Sequence, residues 1–221
     1  MTQPQAATVT VFGYGSVRAT PDRIVLTIGV ECRASTVNLA YDRAGRSVTA
    51  LTAALRDDGV PASDIGTGML SVRSDTAWQD GTSRVIGYIA TSTLTVILAA
   101  AADPTRPTPS EIVAHAVAAG GDDARLGGLQ HTFADRERLL ERARDAAWDN
   151  ALDKARQYAR RAARELGPVL EITEHTTAPP PQQPAEPGGI RLVAASAPAA
   201  VPIESGEAEI TATLRATWQL K

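Results

Sequence analysis

The sequence predicts an α+β fold: a mainly antiparallel sheet with two principal helices, at about 36–58 and 135–166, packed on one face. Three observations lead there. Strand-period alternation recurs along the chain, two stretches carry helical spacing, and the strand-like runs follow one another as hairpin neighbours.

Thr8 to Phe12 reads as a short strand with Val9 and Val11 on one face, and Gly13-Tyr14-Gly15-Ser16 breaks it as a β-turn or bulge would. Pro21-Asp22 opens a second strand, in which Ile24, Leu26, Ile28, Val30 and Cys32 alternate with Arg23, Thr27, Glu31 and Arg33. That pattern is a half-buried strand with one wet face. Ser35 is the expected cap of a helix whose apolar residues fall at Val37, Tyr41, Ala44, Val48, Leu51 and Leu55, ending at Asp57-Asp58-Gly59. Strand signals return over 67–76, and Asp80-Gly81 turns the chain into a long strand over 85–98 with Thr91, Thr93 and Thr95 on one face. Threonine stripes suit an exposed sheet face or a sheet edge.

Residues 101–109, with three prolines, read as a connector and as the one candidate domain boundary. A short helix follows, with Ser110 as its expected cap and Gly120-Gly121 as its stop. Arg125 to Phe133 is a weak strand whose Gly127-Gly128 pair predicts a bulge or a close backbone approach.

Asp135 to Pro168 is the most strongly patterned stretch, a helix about 30 residues long. Asp135 caps it, and Gly167-Pro168 is the expected stop. Alanine recurs at 143, 147, 151, 155, 159 and 163, and acids recur at Glu137, Glu141, Asp145, Asp149 and Asp153. A row spaced by four is an inclined ridge on a helix surface. A ridge of methyl groups lets a neighbouring backbone approach closely, so this helix is expected to lie tightly across a sheet or another helix. Val169 to Thr173 and Ile190 to Ala195 are strand candidates, and 178–189 is a proline-rich loop. Strict alternation from Ala208 to Leu220 marks the last strand. Residues 1–7 read as a disordered N-terminus and 8–221 as a single domain.

The charge balance is −3, with 43% hydrophobic and 21% charged residues, which argues against a general nucleic-acid binder. Cys32 is the single cysteine, so no intrachain disulfide forms. Met1 to Ala7 has neither a basic region nor an apolar run, so no signal peptide is expected, and no run is long and apolar enough to span a membrane. A cytoplasmic location is the expectation.

Candidate chemistry is sparse. Gly13-Tyr14-Gly15 fails as a dinucleotide-binding motif because Arg18 stands where the third glycine belongs and a strand follows where a helix should. The acid row runs along a helix instead of converging on a metal, and Arg138, Arg142, Arg144 and Arg156 partly neutralise it. Lys154, Arg156, Arg160, Arg161 and Arg164 cluster around Tyr158, where they complement the helix dipole. His115, His131 and His175 sit on three different elements, Cys32 falls on an apolar strand face, and Ser16, Ser35 and Ser71 lack a nucleophile context. No catalytic, cofactor-binding or metal residues are assigned.

Several of these stretches fall together in one order. Val11-Phe12-Gly13-Tyr14-Gly15-Ser16 precedes Pro21-Asp22, then come Gly59-Val60, Asp64-Ile65-Gly66-Thr67 and Gly87-Tyr88-Ile89-Ala90. Ala163-Arg164-Glu165-Leu166-Gly167 and Pro202-Ile203-Glu204 with the final strand complete the series. From about residue 8 to 220 the chain resembles the SIMPL-domain family, which includes YggE-type oxidative-stress-defence proteins and periplasmic immunogenic proteins. The resemblance implies an α+β fold, a link to stress tolerance and, as in some members, ring- or channel-like homo-oligomers. A eukaryotic branch binds a signalling kinase. Many relatives are exported, so the periplasm or cell envelope is the alternative location.

The expected function is therefore that of a non-catalytic SIMPL-domain protein acting through homo-oligomerisation or partner binding, in a stress-related setting. The alternative is an enzyme or small-ligand carrier with a pocket between the sheet and the long helix. No cofactor, no specific nucleic acid and no membrane span are expected, and the protein partner is left unidentified.

Overall fold

The computed structural model describes residues 7–79, 81–100, 105–175 and 201–221. The elements are β1 (Thr8–Ala19), β2 (Arg23–Ala34), α1 (Val37–Asp57), β3 (Ile65–Gln79), β4 (Thr82–Ala99), α2 (Pro109–Gly120), β5 (Ala124–Thr132), α3 (Arg136–Arg161), β6 (Leu166–His175) and β7 (Ala208–Leu220). All strand pairings are antiparallel, and the α+β class holds. The strands form two sheets where one was expected, ordered β1-β7-β6 and β3-β4-β2-β5. The chain accordingly divides into two compact units, residues 21–134 with 201–206 and the remainder, so 101–109 falls inside one unit's span. The 178–189 loop, the 190–195 strand candidate and residues 1–6 lie outside the described residues.

In the unit built on β1-β7-β6, β1 runs unbroken through the glycines, paired from Thr8↔Gln219 to Ala19↔Ala208. The expected turn at Gly13 to Ser16 is absent. These glycines are small for a different reason. A Cβ at Gly13 would overlap the carbonyl oxygen of Ala147 and lie 2.8 Å from the Ala151 methyl. One at Gly15 would overlap the Ala143 carbonyl and the Ala147 amide nitrogen. The alanine ridge is thus seated on β1, and Ala143, Ala147, Ala151, Ala155 and Ala159 are all buried. Trp148 packs on Trp218 with ring centroids 5.5 Å apart.

α3 ends earlier than Gly167. Ala163 takes the left-handed conformation at φ 51°. The Arg164 N–H donates to the Ala159 carbonyl at 2.9 Å and the Ala163 N–H to the Arg160 carbonyl at 3.1 Å, a complete Schellman motif. The chain must turn there to let Leu166 pair with Leu220, so Gly167 and Pro168 belong to β6.

In the other unit, Ile24, Leu26, Ile28, Val30 and Cys32 of β2 face inward as expected, joined by Ala90, Leu94, Val96 and Leu98 of β4. α1 covers them with Ala40, Ala44, Leu51 and Leu55, and α2 adds Ile112 and Ala116. The helix caps differ from expectation by one or two residues. Thr36, not Ser35, accepts from the Leu39 N–H. Thr108, not Ser110, caps α2, because Pro109 at the first helical position and Glu111 two residues on complete a capping box around it. Asp22 ties strand ends together: its carboxylate accepts from the Ala134 N–H at 2.7 Å and its carbonyl from the Ala100 N–H at 2.9 Å.

Candidate interaction surfaces

Antiparallel sheets expose their outer strands to edge-to-edge pairing unless something blocks it. Among the described residues each of the four outer strands carries a block along part of its length. On β1, the Asn150 side chain accepts from the Tyr14 N–H at 3.1 Å and Lys154 donates to the Phe12 carbonyl at 2.9 Å, so one helix turn occupies the free backbone groups. β3 has an irregularity between Thr67 and Leu70, β5 a bulge opposite Thr27/Ile28, and β6 carries Pro168 with register shifts on both sides of Val169. The bulge at Gly127-Gly128 is the one expected. The threonine stripes are not edges: β4 and β7 are each paired on both sides, so Thr93 and Thr95 mark an exposed face.

A different feature is unprotected. Pairing of β2 with β4 stops at Ala34↔Tyr88, whereas β3 and β4 continue to Gln79↔Thr82. Residues 75–79 and 82–87 form a two-stranded arm with no third strand among the described residues, ending at Gly81 in a left-handed conformation (φ 76°). Trp78 is 75% exposed on it, and Val85 and Ile86 are 57% and 58% exposed. Large exposed apolar groups on an isolated hairpin mark a contact surface, and tryptophan is the side chain most enriched at binding hot spots.

The other sequence-predicted groups are distributed as follows. Glu137, Glu141, Asp145, Asp149 and Asp153 are all exposed, the solvated face expected of them. Lys154 is used on β1 and Arg156 sits 3.6 Å from Asp153, while Arg160, Arg161 and Arg164 gather at the end of α3. His115 bonds Asp58 at 3.0 Å, and His131 lies on β5 with a buried Nδ1 that has no partner among the described residues. Among the described residues no group of three or more acidic, histidine or cysteine side chains is placed to hold a metal. Cys32 is fully buried with its Sγ 3.9 Å from the Ser47 hydroxyl. Burial first, and then Asp123, pushes its thiol up, so it stays protonated and unreactive at neutral pH. Ser71 bonds Thr91 at 2.8 Å.

Between α3 and the β6–β7 strands lies a hollow of about 260 Å³, the place expected for a ligand pocket. Two of its charged groups are committed to each other: Arg144 reaches Glu174 at 2.7 Å and also Glu137 at 2.6 Å, and those carboxylates hold its guanidinium above its ordinary value. Larger hollows lie in the other unit. One of about 410 Å³ adjoins the start of α2, with Arg23 3.9 Å from Asp64 at its wall. Another, of about 630 Å³, runs between α1 and β3.

The model of the SIMPL family, described as proteins of unknown function, matches residues 9–218. The chain belongs to the SIMPL family. Two similar proteins are the 26 kDa periplasmic immunogenic proteins of Brucella melitensis biotype 1 and Brucella abortus strain S19. Each is 28% identical over 223 aligned residues, covering 98% of this chain and 86% of the relative. Both relatives are named as periplasmic, so the comparison lends no support to the cytoplasmic location expected from the sequence. No helix among the described residues of this SIMPL chain is long and apolar enough to cross a membrane.

Proposed function

We propose that this SIMPL protein is non-catalytic and works by self-assembly in the cell envelope, with the β3–β4 arm as its contact element. The carrying observation is the arm itself, a hairpin without a third strand among the described residues that exposes Trp78, Val85 and Ile86. A two-stranded hairpin is marginal in water, and burying it against a second copy would stabilise both the arm and the assembly. The exposed Trp78, Val85 and Ile86 favour side-chain contacts on the arm as the mode of association. The envelope location rests on the names of the relatives, and a stress-related role rests on family resemblance alone.

Absolute mass by light scattering across a dilution series tests this. The proposal expects a discrete multimer of the 23.2 kDa chain that Trp78→Ser with Ile86→Ser converts to monomer. A monomer at every concentration, or a multimer indifferent to both changes, would overturn it.

A further inference from the structure

The 630 Å³ groove between α1 and β3 has the size of a small-molecule site, for which about 300–1,000 Å³ is usual. α1 sits over β2 and β4, which leaves the flank of β3 uncovered; Leu70, whose strand partner is Ser92, is consequently 48% exposed. Ala44, Val48 and Ala53 of α1 form the facing wall.

Two features of this groove are not explained by packing. Ser92 is 3% exposed and lines the groove. Its register partners are Val30 and Leu70, which places its side chain on the helix-covered face. Its hydroxyl has no hydrogen-bond partner among the described residues. The one fully buried side-chain polar atom without a partner among the described residues is His131 Nδ1, so the Ser92 hydroxyl still meets the open space of the groove, where a ligand atom can bond it. Gly45 lies in the middle of α1, where glycine weakens a helix, yet a Cβ built there meets nothing within 4 Å. Glycine here answers no close approach within the chain; it leaves the groove open. At the mouth, Asp42 and Arg46 carry opposite charges, which suits an uncharged occupant better than an ion.

We infer that the α1–β3 groove binds a small, uncharged, mainly apolar molecule whose single polar group hydrogen-bonds Ser92. The site is independent of the hairpin arm and of the assembly proposed above.

The full chain is titrated with N-phenyl-1-naphthylamine, whose fluorescence rises in apolar surroundings, and the bound probe is displaced with 1-naphthol or naphthalene. Saturable binding at one site per chain is expected, with 1-naphthol about five-fold stronger than naphthalene, the effect of one hydrogen bond. Ser92→Ala should erase that preference. Gly45→Leu, which fills the groove with a better helix former, should lower probe affinity at least ten-fold without loss of helical signal, and Ala53→Leu supplies an independent filling of the same space. Trp78→Ser should leave binding unchanged. The inference is overturned if the wild-type chain shows no saturable binding, if both groove-filling variants bind as wild type does, or if Trp78→Ser abolishes the signal.

Discussion

The molecule contains two helix-on-sheet layers that solve the same packing problem in opposite ways. α3 is pressed against β1 so closely that Gly13 and Gly15 have helix backbone atoms where their side chains would be. α1 covers its sheet with Leu51 and Leu55 and leaves a groove beside it, at which Gly45 faces open space. The alanine ridge of α3 offers little apolar area, so its stability depends on close contact of many atoms, each individually weak. The leucines of α1 bury enough area to tolerate a gap. Residue size, more than hydrophobicity, therefore decides that the α3–β1 contact is sealed while a groove stays open beside α1.

The largest effect outside the sealed contact itself is expected where α3 ends. Ala163 is exposed and left-handed, a conformation that disfavours a side chain by about 1–2 kcal/mol. Ala163→Gly should raise stability by about 1 kcal/mol, measured by urea unfolding, with no change in the Trp148–Trp218 environment.

An effect of similar size at neutral pH, but dependent on pH, belongs to α2 in the looser unit. Thr108→Ala should cost about 1 kcal/mol at neutral pH by removing the cap. The Thr108 backbone N–H and hydroxyl hold the Glu111 carboxyl below its ordinary value. A carboxylate with a lowered folded pKa contributes above its unfolded pKa and loses that contribution as pH falls through the folded one. The backbone N–H survives Thr108→Ala, so the variant loses only the hydroxyl's share, and the two thermal midpoints should draw closer toward acid pH without meeting.

Much of this architecture was legible in the residues. Alternation placed Ile24 to Cys32 inward and Ala208 to Leu220 in a strand, and the alanine period identified the contact face of α3 before its partner was known. The partner was not legible. Glycines in a row favour turns locally, and only the arrival of Ala143 to Ala151, more than a hundred residues later, reveals that Gly13 and Gly15 serve a strand. The same non-locality hid the division into two sheets, because β1 pairs with β7 across nearly the whole chain. The cap of α2 was readable: Thr108-Pro109 with Glu111 is a capping-box signature, and it outranks Ser110. The stop of α3 was not, since alanine in a left-handed cap has no local signal. The arm and the groove arise from strand lengths and helix placement, which alternation does not specify.

The most direct test is one substitution made in both layers: Gly15→Ala and Gly45→Ala, compared by equilibrium urea unfolding. Gly15→Ala should destabilise by roughly 3 kcal/mol, because backbone must move to admit a methyl group. Gly45→Ala should stabilise by about 1 kcal/mol, because the methyl meets nothing and alanine favours the helix. Opposite signs are the predicted result. Changes of the same sign would contradict the account of a sealed α3–β1 contact and an open α1 groove.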